Sequence, residues 1–507
     1  MGRRQFRPRG GWVLVVFICG VCCTLAGSVV AADAPSFLIA RPLFESTGRP
    51  LLDRSSDPAL TPYQGTNPKG HQRLYVVPAD RAGDPPETLT RYLSESPEFQ
   101  RAFDLLRTAR HLRYTQLTKE KAGKAARDFA RGVLAGPLVI LDRSPERGYP
   151  FCMLGLTTLV VEGPRALDRI LHASPDFILV TDLSRQTWKQ ALENDLLDIL
   201  VGHEVAHAAM FECMGPAFDT LAGSYRGAHV TTTVSHPGFA LQEGWAEAVQ
   251  AWIDPAAARR AKGRKAREAG VSDFYLDSQD DIRQETYLWV DARAKDGRLR
   301  NASQMMATEG IVATLLYKVL ASRAIAGAPE KLLTVMAYDR PQSFPDLVRG
   351  YLKRFPGDRS TLLRIVLETT RYRTMSRPVA EAYQAYRHAR ARQTSRQTDA
   401  ATLQAAKRAY ESAKEEAFRR ALEGADIFVD LGPALRLYGA GYEFDLNLVD
   451  LDGLVRSGLD REDAAKVLAA RDEVTYFTGD PLETIRKAVG EETWQKTYSR
   501  YLWHTVR

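Results

Sequence analysis

Residues 191–211 are ALENDLLDILVGHEVAHAAMF, and this stretch decides how the rest of the chain is interpreted. Its apolar residues recur at helical spacing, which predicts a helix with one buried face. His203 and His207 lie on that face four positions apart, so their imidazoles project about one turn apart. Glu204 directly follows the first histidine. The predicted helix therefore carries two imidazoles and a carboxylate within little more than one turn.

The segment HEVAH is an instance of H-E-x-x-H, a pattern in which two histidines bind zinc and the glutamate is a general base. Zinc lowers the pKa of a bound water towards 7, and Glu204 can take the proton as that water attacks a carbonyl carbon. A catalytic zinc site of this kind needs a third protein ligand. The alternative is that HEVAH occurs by chance on a buried helix face and has no catalytic role.

A second segment, LQEGWAEAVQAW at 241–252, supplies a candidate for that ligand. Glu243 and Glu247 are four apart in another predicted helix. HEVAH followed by EGWAE resembles the gluzincins, the thermolysin-like and aminopeptidase-like zinc metallopeptidases. The resemblance implies that Glu243 is the third zinc ligand and that Glu247 hydrogen-bonds a zinc-bound histidine. Cys213, His229 and His236 remain open as alternative third ligands.

The resemblance covers roughly residues 176–330 and implies a zincin-like fold. Asn301–Leu320, with Glu309-Gly310 before an apolar run, resembles a later helix of the aminopeptidase-like members. Those members carry an oxyanion-stabilising tyrosine near that point, and this chain does not. The candidates for that role lie in the long spacer after His207 and are Tyr225, His229 and His236, with the first two favoured. A metzincin pattern is excluded, because Met210 and Cys213 stand where it needs glycine and histidine.

Length and composition limit the number of domains and the class of protein. The chain has 507 residues, which suggests two to four domains. With 45% hydrophobic and 26% charged residues, it is not a wholly disordered, collagen-like or polytopic membrane protein. The net charge is +7, and loss of the four arginines among the first 32 residues would leave +3. That charge is too small to predict a polyanionic partner.

The N-terminus predicts export. Residues 12–32 are uncharged, follow a basic segment and end in small residues, as in a cleaved signal peptide covering residues 1–32. Export would place the protein in the periplasm or outside the cell. The alternative is an uncleaved membrane anchor formed by residues 12–32. Only Cys152 and Cys213 lie beyond this segment, and both a disulfide and two free thiols remain open.

By composition and hydrophobic pattern, the remainder of the chain divides into four parts. The expected fold class is α+β. Residues 33–160 form a loop-rich and mixed α/β region, including an extended arm at 35–90 and helical sequence at 90–136. Residues 161–376 form the metallopeptidase-like, mostly helical domain, and 377–424 a helical hairpin or linker. A small sheet is predicted from three short apolar runs bounded by turn-forming residues, namely Leu138–Leu141, Leu156–Val161 and Phe177–Val180.

Residues 425–507 are predicted to form an all-helical C-terminal module. Ser457-Gly458-Leu459 and Val489-Gly490 resemble the hairpins of degenerate tandem helix-hairpin-helix modules, which bind phosphate at helix starts. Residues 440–507 nevertheless contain nine basic and thirteen acidic side chains. Because phosphate neutralisation dominates nucleic-acid affinity, this charge argues against nucleic acid and favours a protein partner.

The leading hypothesis is therefore an exported zinc-dependent peptidase that acts on a peptide or protein substrate. The second is an exported binding or scaffold protein, in which an inactive zincin domain is joined to a partner-binding C-terminal module. A third and weaker hypothesis is extracellular DNA binding through residues 444–502. A membrane is involved only if the N-terminal segment stays uncleaved.

Overall fold

The computed structural model describes most of the chain from residue 86 onward and isolated strands before it. The described residues are 37–42, 73–78, 86–121, 123–124, 127, 134, 138–141, 151–153, 157–161, 170–173, 178–180, 192, 197–221, 231–254, 280–290, 299–395, 398–474, 476–499 and 503–505. The predicted signal peptide at 1–32 lies outside them. Within this described part, no helix has the length and apolar character needed to cross a membrane.

The described residues contain a seven-stranded mixed sheet in the order β4-β7-β3-β1-β2-β5-β6. Its centre combines an antiparallel β1–β2 pair with parallel β1–β3 and β2–β5 pairs. The strands are β1 (Phe37–Pro42), β2 (Arg73–Pro78), β3 (Leu138–Leu141), β4 (Phe151–Met153), β5 (Thr157–Val161), β6 (Ile170–Ala173) and β7 (Ile178–Val180).

All three predicted strands are present as β3, β5 and β7, but the sheet is larger than expected. Residues 35–90, interpreted as an extended arm, supply the two central strands β1 and β2. Pairing of Leu38 with Pro78 joins segments far apart in sequence, so no local hairpin pattern marks them. The predicted boundary at residues 160 and 161 falls inside β5, within one continuous sheet.

Helices surround the histidine-bearing segment. They are α1 (Pro86–Glu95), α2 (Pro97–Lys119), α3 (Leu197–Met214), α4 (Pro237–Ile253), α5 (Ala302–Met306), α6 (Glu309–Leu320), α7 (Ala328–Asp339), α8 (Phe344–Arg354) and α9 (Arg359–Thr369). Helix α3 packs against α2, α4 and α7, and α4 packs against α6. The two segments singled out in the sequence are therefore neighbouring helices, α3 and α4, buried in the middle of this layer.

Two further helices, α10 (Arg377–Thr394) and α11 (Ala400–Leu422), pack against each other. Tyr410 of α11 lies between Tyr383 and Tyr386 of α10, with ring centroids 5.1 and 6.0 Å away. One hydrophobic core runs from Phe37 to Phe428 and includes this helix pair.

A second hydrophobic core begins at Leu435. Its core residues come from the helices α12 (Leu451–Arg456), α13 (Arg461–Val474) and α14 (Pro481–Val489), from the strands β8 (Arg436–Gly439) and β9 (Tyr442–Asp445), and from the segments between and next to them. The helix α15 (Glu491–Thr493) and the strand β10 (His504–Thr505) belong to the same stretch of chain but contribute no core residue. Residues 435–505 are called the C-terminal module below.

The prediction of an all-helical C-terminal module is wrong, because β10, β8 and β9 form an antiparallel three-stranded sheet. The turn between β8 and β9 has positive φ angles at Ala440 and Gly441. Such hairpin turns usually carry asparagine, aspartate or glycine at the first of these positions, so an alanine there does not predict one. Strand β10 is two residues long, and its partner β8 lies far back in the chain. Trp503 beside it donates to the Ser457 carbonyl at 2.9 Å and closes the core. The coarser prediction of an α+β fold is confirmed.

Candidate metal centre

Helix α3 is fixed at both ends by buried polar contacts. Near its start, Asp198 accepts a hydrogen bond from Ser96, the residue that also caps α2. Near its end, Glu212 pairs with Arg113 of α2 at 2.6 Å. The turn that carries His203, Glu204 and His207 is thus held between two anchored ends, on the side facing α4.

Helix α4 approaches α3 closely enough for their side chains to meet directly. His236 caps the start of α4 by accepting from the Gly238 amide at 3.2 Å. Trp245 is fully buried and donates to the Ala206 carbonyl at 2.9 Å, across the interface with α3. A Cβ atom at Gly202 would lie 2.3 Å from the Ile253 side chain, so glycine there permits the close approach. Local packing therefore sets the distance between the two motif-bearing helices.

This packing brings one imidazole nitrogen from each histidine and one carboxylate oxygen together. The Nε2 atoms of His203 and His207 are 3.1 Å apart. Glu243 places Oε2 at 3.3 Å from Nε2 of His207 and 3.8 Å from Nε2 of His203. Among the described residues, these three form the one group of histidine, cysteine, aspartate or glutamate side chains that could hold a metal ion.

The three separations of 3.1, 3.3 and 3.8 Å bracket the edge length of a tetrahedral zinc site. Zinc bonds to histidine nitrogen and carboxylate oxygen are about 2.0–2.2 Å long, so two such ligands lie about 3.3–3.5 Å apart in a tetrahedron. The donor set of two nitrogens and one oxygen also suits zinc, and three protein ligands leave a fourth position open. The residues present therefore fit the metal that the motif implies.

Hydrogen bonding prepares His203 for that role. Its Nδ1 atom lies 3.1 Å from Oε1 of the buried Gln250. An amide oxygen can only accept, so Nδ1 carries the proton and Nε2 presents its lone pair towards Glu243 and His207. His207 differs, since its buried Nδ1 has no hydrogen-bond partner within the described part of the chain.

The site is rich in carboxyl groups. Burial lowers the pKa of His207, but the carboxylate of Glu243 beside it raises that pKa, and the net shift is upward. Burial and the neighbouring Glu243 raise the pKa of Glu247 to about 8. Burial, with Glu243 and Glu247 nearby, raises the pKa of Glu309 well above its usual range. A cation at the three converging atoms would relieve this repulsion.

The other predicted site residues fall into two sets. Glu204 is half-buried next to His203 and close enough to Nε2 of His207 to raise its pKa. Glu247 is buried beside Glu243 and His207, while Gln250 is the residue in contact with His203. Tyr225 and His229 lie outside the described residues.

Two alternative third ligands lie apart from the site. His236 acts as the helix cap of α4, and burial lowers its pKa. Cys213 is a free, buried thiol near the end of α3. Burial raises the pKa of this thiol, and the negative charge of the adjacent Glu212 raises it further. Neither belongs to the group of converging ligand atoms found among the described residues.

Sequence reasoning missed Gln250 and gave Glu309 no role at the site. Glu243, Glu247 and Gln250 are spaced i, i+4 and i+7 and so share one face of α4, a signal present in the sequence. Glu309 comes from a separate element, the start of α6. Its proximity depends on Gly244, where a Cβ atom would lie 2.9 Å from Val312 of α6. No spacing rule within one helix could have found it.

Comparison of the chain with protein-family models, with curated proteins and with solved structures found no match. The feature of the molecule that points to a function is the site itself, where two imidazole nitrogens and a carboxylate oxygen converge between two helices.

Proposed function

We propose that this protein is a zinc-dependent peptidase with a zincin-like active-site domain. His203, His207 and Glu243 would hold the zinc ion. The observation that carries the proposal is the convergence of these three ligand atoms at separations of 3.1, 3.3 and 3.8 Å. A structural zinc site normally uses four protein ligands, whereas three with an open position is the arrangement of hydrolytic zinc enzymes.

In this proposal, separate residues transfer the proton and orient the zinc ligands. Bound zinc supplies Lewis acidity and lowers the pKa of water in the site. Glu204, half-buried beside the first ligand, accepts the proton of the attacking water at its carboxylate and later passes it to the departing amine. Gln250 fixes the ring of His203 through Nδ1. The Oε2 atom of Glu243 faces the imidazoles. Its Oε1 atom accepts a hydrogen bond from Nε2 of Gln242 at 3.5 Å.

Export belongs to the same proposal. A basic segment followed by the uncharged residues 12–32 supports a signal peptide, with a peptide or protein as substrate outside the cytoplasm. The C-terminal module has its own hydrophobic core, which supports a separate role such as binding a protein partner. Its excess of acidic residues supports a partner other than nucleic acid.

The substitution Glu204→Gln tests the proposed activity. It removes the proton acceptor without removing a ligand, so we expect zinc content to stay at one per chain. Hydrolysis of a peptide library should fall about 10²- to 10⁴-fold, the usual contribution of a general base. Glu416→Gln, the same chemical change on an exposed part of α11, is the matched control and should retain activity.

Equal hydrolysis by wild type and Glu204→Gln would contradict the proposed mechanism. A wild-type chain that holds zinc but cleaves no peptide would favour the other hypothesis, a binding or scaffold protein with an inactive zincin domain.

A further inference from the structure

Gln250 occupies the position next to a zinc ligand where a carboxylate is the usual partner. Histidines that bind metals donate their second ring N–H to a carboxylate, a carbonyl or water, and that contact fixes the ring and its tautomer. Here the acceptor is a side-chain amide, with Oε1 of Gln250 at 3.1 Å from Nδ1 of His203. The Oε2 atom of Glu247, one turn nearer to Glu243, has no hydrogen-bond partner in the described part of the molecule.

The burial of Gln250 indicates that its role is the hydrogen bond to His203. Its side chain is fully buried, and its Nε2 group finds no hydrogen-bond partner among the residues that the structure describes. A buried amide with an unpaired N–H₂ group costs stability, and an apolar residue of similar volume would avoid that cost. Among the described residues, its side chain makes one hydrogen bond, the one to His203.

The surrounding charge explains an amide in preference to a carboxylate. Three buried carboxyl groups, those of Glu243, Glu247 and Glu309, already lie in this part of the site. Another acid at position 250 would join this cluster. An amide orients the imidazole equally well without adding negative charge. It is also a weaker acceptor, so His203 is a less basic ligand than it would be beside a carboxylate.

We infer that Gln250 is a positioning residue for His203, whose neutral amide fixes the lone pair of Nε2 on the metal position and sets the zinc affinity below that of a carboxylate-supported site. The inference rests on the zinc site of the proposed function but not on peptide hydrolysis.

The test is the zinc dissociation constant of the full-length chain, measured by competition with a chromophoric chelator at constant pH. Gln250→Met keeps the length and burial of the side chain and removes the acceptor. We expect zinc to bind about 10- to 100-fold more weakly, the usual effect of losing such a partner. Gln116→Met, which removes another buried glutamine from α2, is the matched control and should leave zinc affinity unchanged.

Gln250→Glu is the complementary variant and does not depend on Gln250→Met being folded. It keeps an acceptor of the same size and adds charge, so we expect tighter zinc binding than in the wild type. Unchanged affinity in a folded Gln250→Met, or weaker binding in Gln250→Glu, would overturn the inference. Because the readout is affinity, a wild type that binds zinc without cleaving peptides would defeat the proposed function and leave this inference standing.

Discussion

Gly244 shows how one residue sets the geometry of the site. It lies next to Glu243 on α4, where a Cβ atom would stand 2.9 Å from Val312 and 3.0 Å from the backbone nitrogen of Ala313. Real Cβ atoms essentially never approach another atom that closely, so α4 rests against α6 because this residue has no side chain. The glycine of the EGWAE segment thereby keeps Glu243 and Glu309 near each other.

We predict that Gly244→Ala moves α4 away from α6. Alanine favours the helix by about 1 kcal/mol, but overpacking of this kind usually costs about 1–3 kcal/mol. The expected net result is a modest loss of unfolding free energy and weaker zinc binding, because Glu243 moves with its helix. Urea denaturation and zinc titration measure the two effects. Gly357→Ala, at an exposed site with open space, is the control, and identical behaviour of the two variants would refute the packing argument.

At the scale of the element, helix α3 begins with a buried carboxyl group. Burial raises the pKa of Asp198 to about 6 from an ordinary 3.8, against the opposing hydrogen bond from Ser96. The folded state therefore holds this proton more tightly than the unfolded state does. Its stabilising contribution is complete below about pH 4 and is lost as the pH rises through 6.

Asp198→Asn should remove this dependence on pH, since an amide does not ionise and can still bond to Ser96. At pH 4 the two proteins should have similar stability. By pH 7.5 the variant should be the more stable, by up to about 3 kcal/mol. Urea denaturation across this range measures the difference, with Asp104→Asn on the exposed side of α2 as control. A constant gap between variant and wild type would contradict the account.

The elements also show where sequence pattern suffices. Helices α3 and α4 and the shared face of His203 and His207 follow from apolar periodicity and i, i+4 spacing, since those signals are local. The place of Glu243 beside the two histidines is implied by the family resemblance and not by spacing. Proline and turn-forming residues in 35–90 predict an extended arm where β1 and β2 form, although β2 contains the apolar run Leu74–Val77. Glu309 was seen in the sequence, but its place beside Glu247 depends on packing between α4 and α6.

At the scale of the whole molecule, the described residues form two hydrophobic cores that are joined through buried polar contacts. Asn301, which caps α5, donates to the carbonyl of Asn447 at 3.3 Å. The Asn447 side chain in turn donates to the carbonyls of Pro433 and Phe477 and accepts from the Phe477 amide. Asn447 thus organises the C-terminal module where it meets the larger core.

We predict that Asn447→Ala destabilises the C-terminal module selectively. The substitution removes the side-chain partners of the buried Phe477 carbonyl and amide and the bond to the Pro433 carbonyl, which costs about 2–4 kcal/mol. Calorimetry should then resolve an early transition for the second core, while the larger core and its zinc stay intact. Gln404→Ala on the exposed face of α11 is the control. Loss of zinc together with the early transition would show instead that the two cores unfold as one unit.

Above all, we propose that His203, His207 and Glu243 together bind one zinc ion. The most direct test is the zinc content of the purified, dialysed chain, measured beside His203→Ala and Glu243→Ala. The account predicts one zinc per wild-type chain and its loss in both variants. Zinc retained in Glu243→Ala would move the third ligand elsewhere, and a wild-type chain that takes up no zinc would contradict the claim outright.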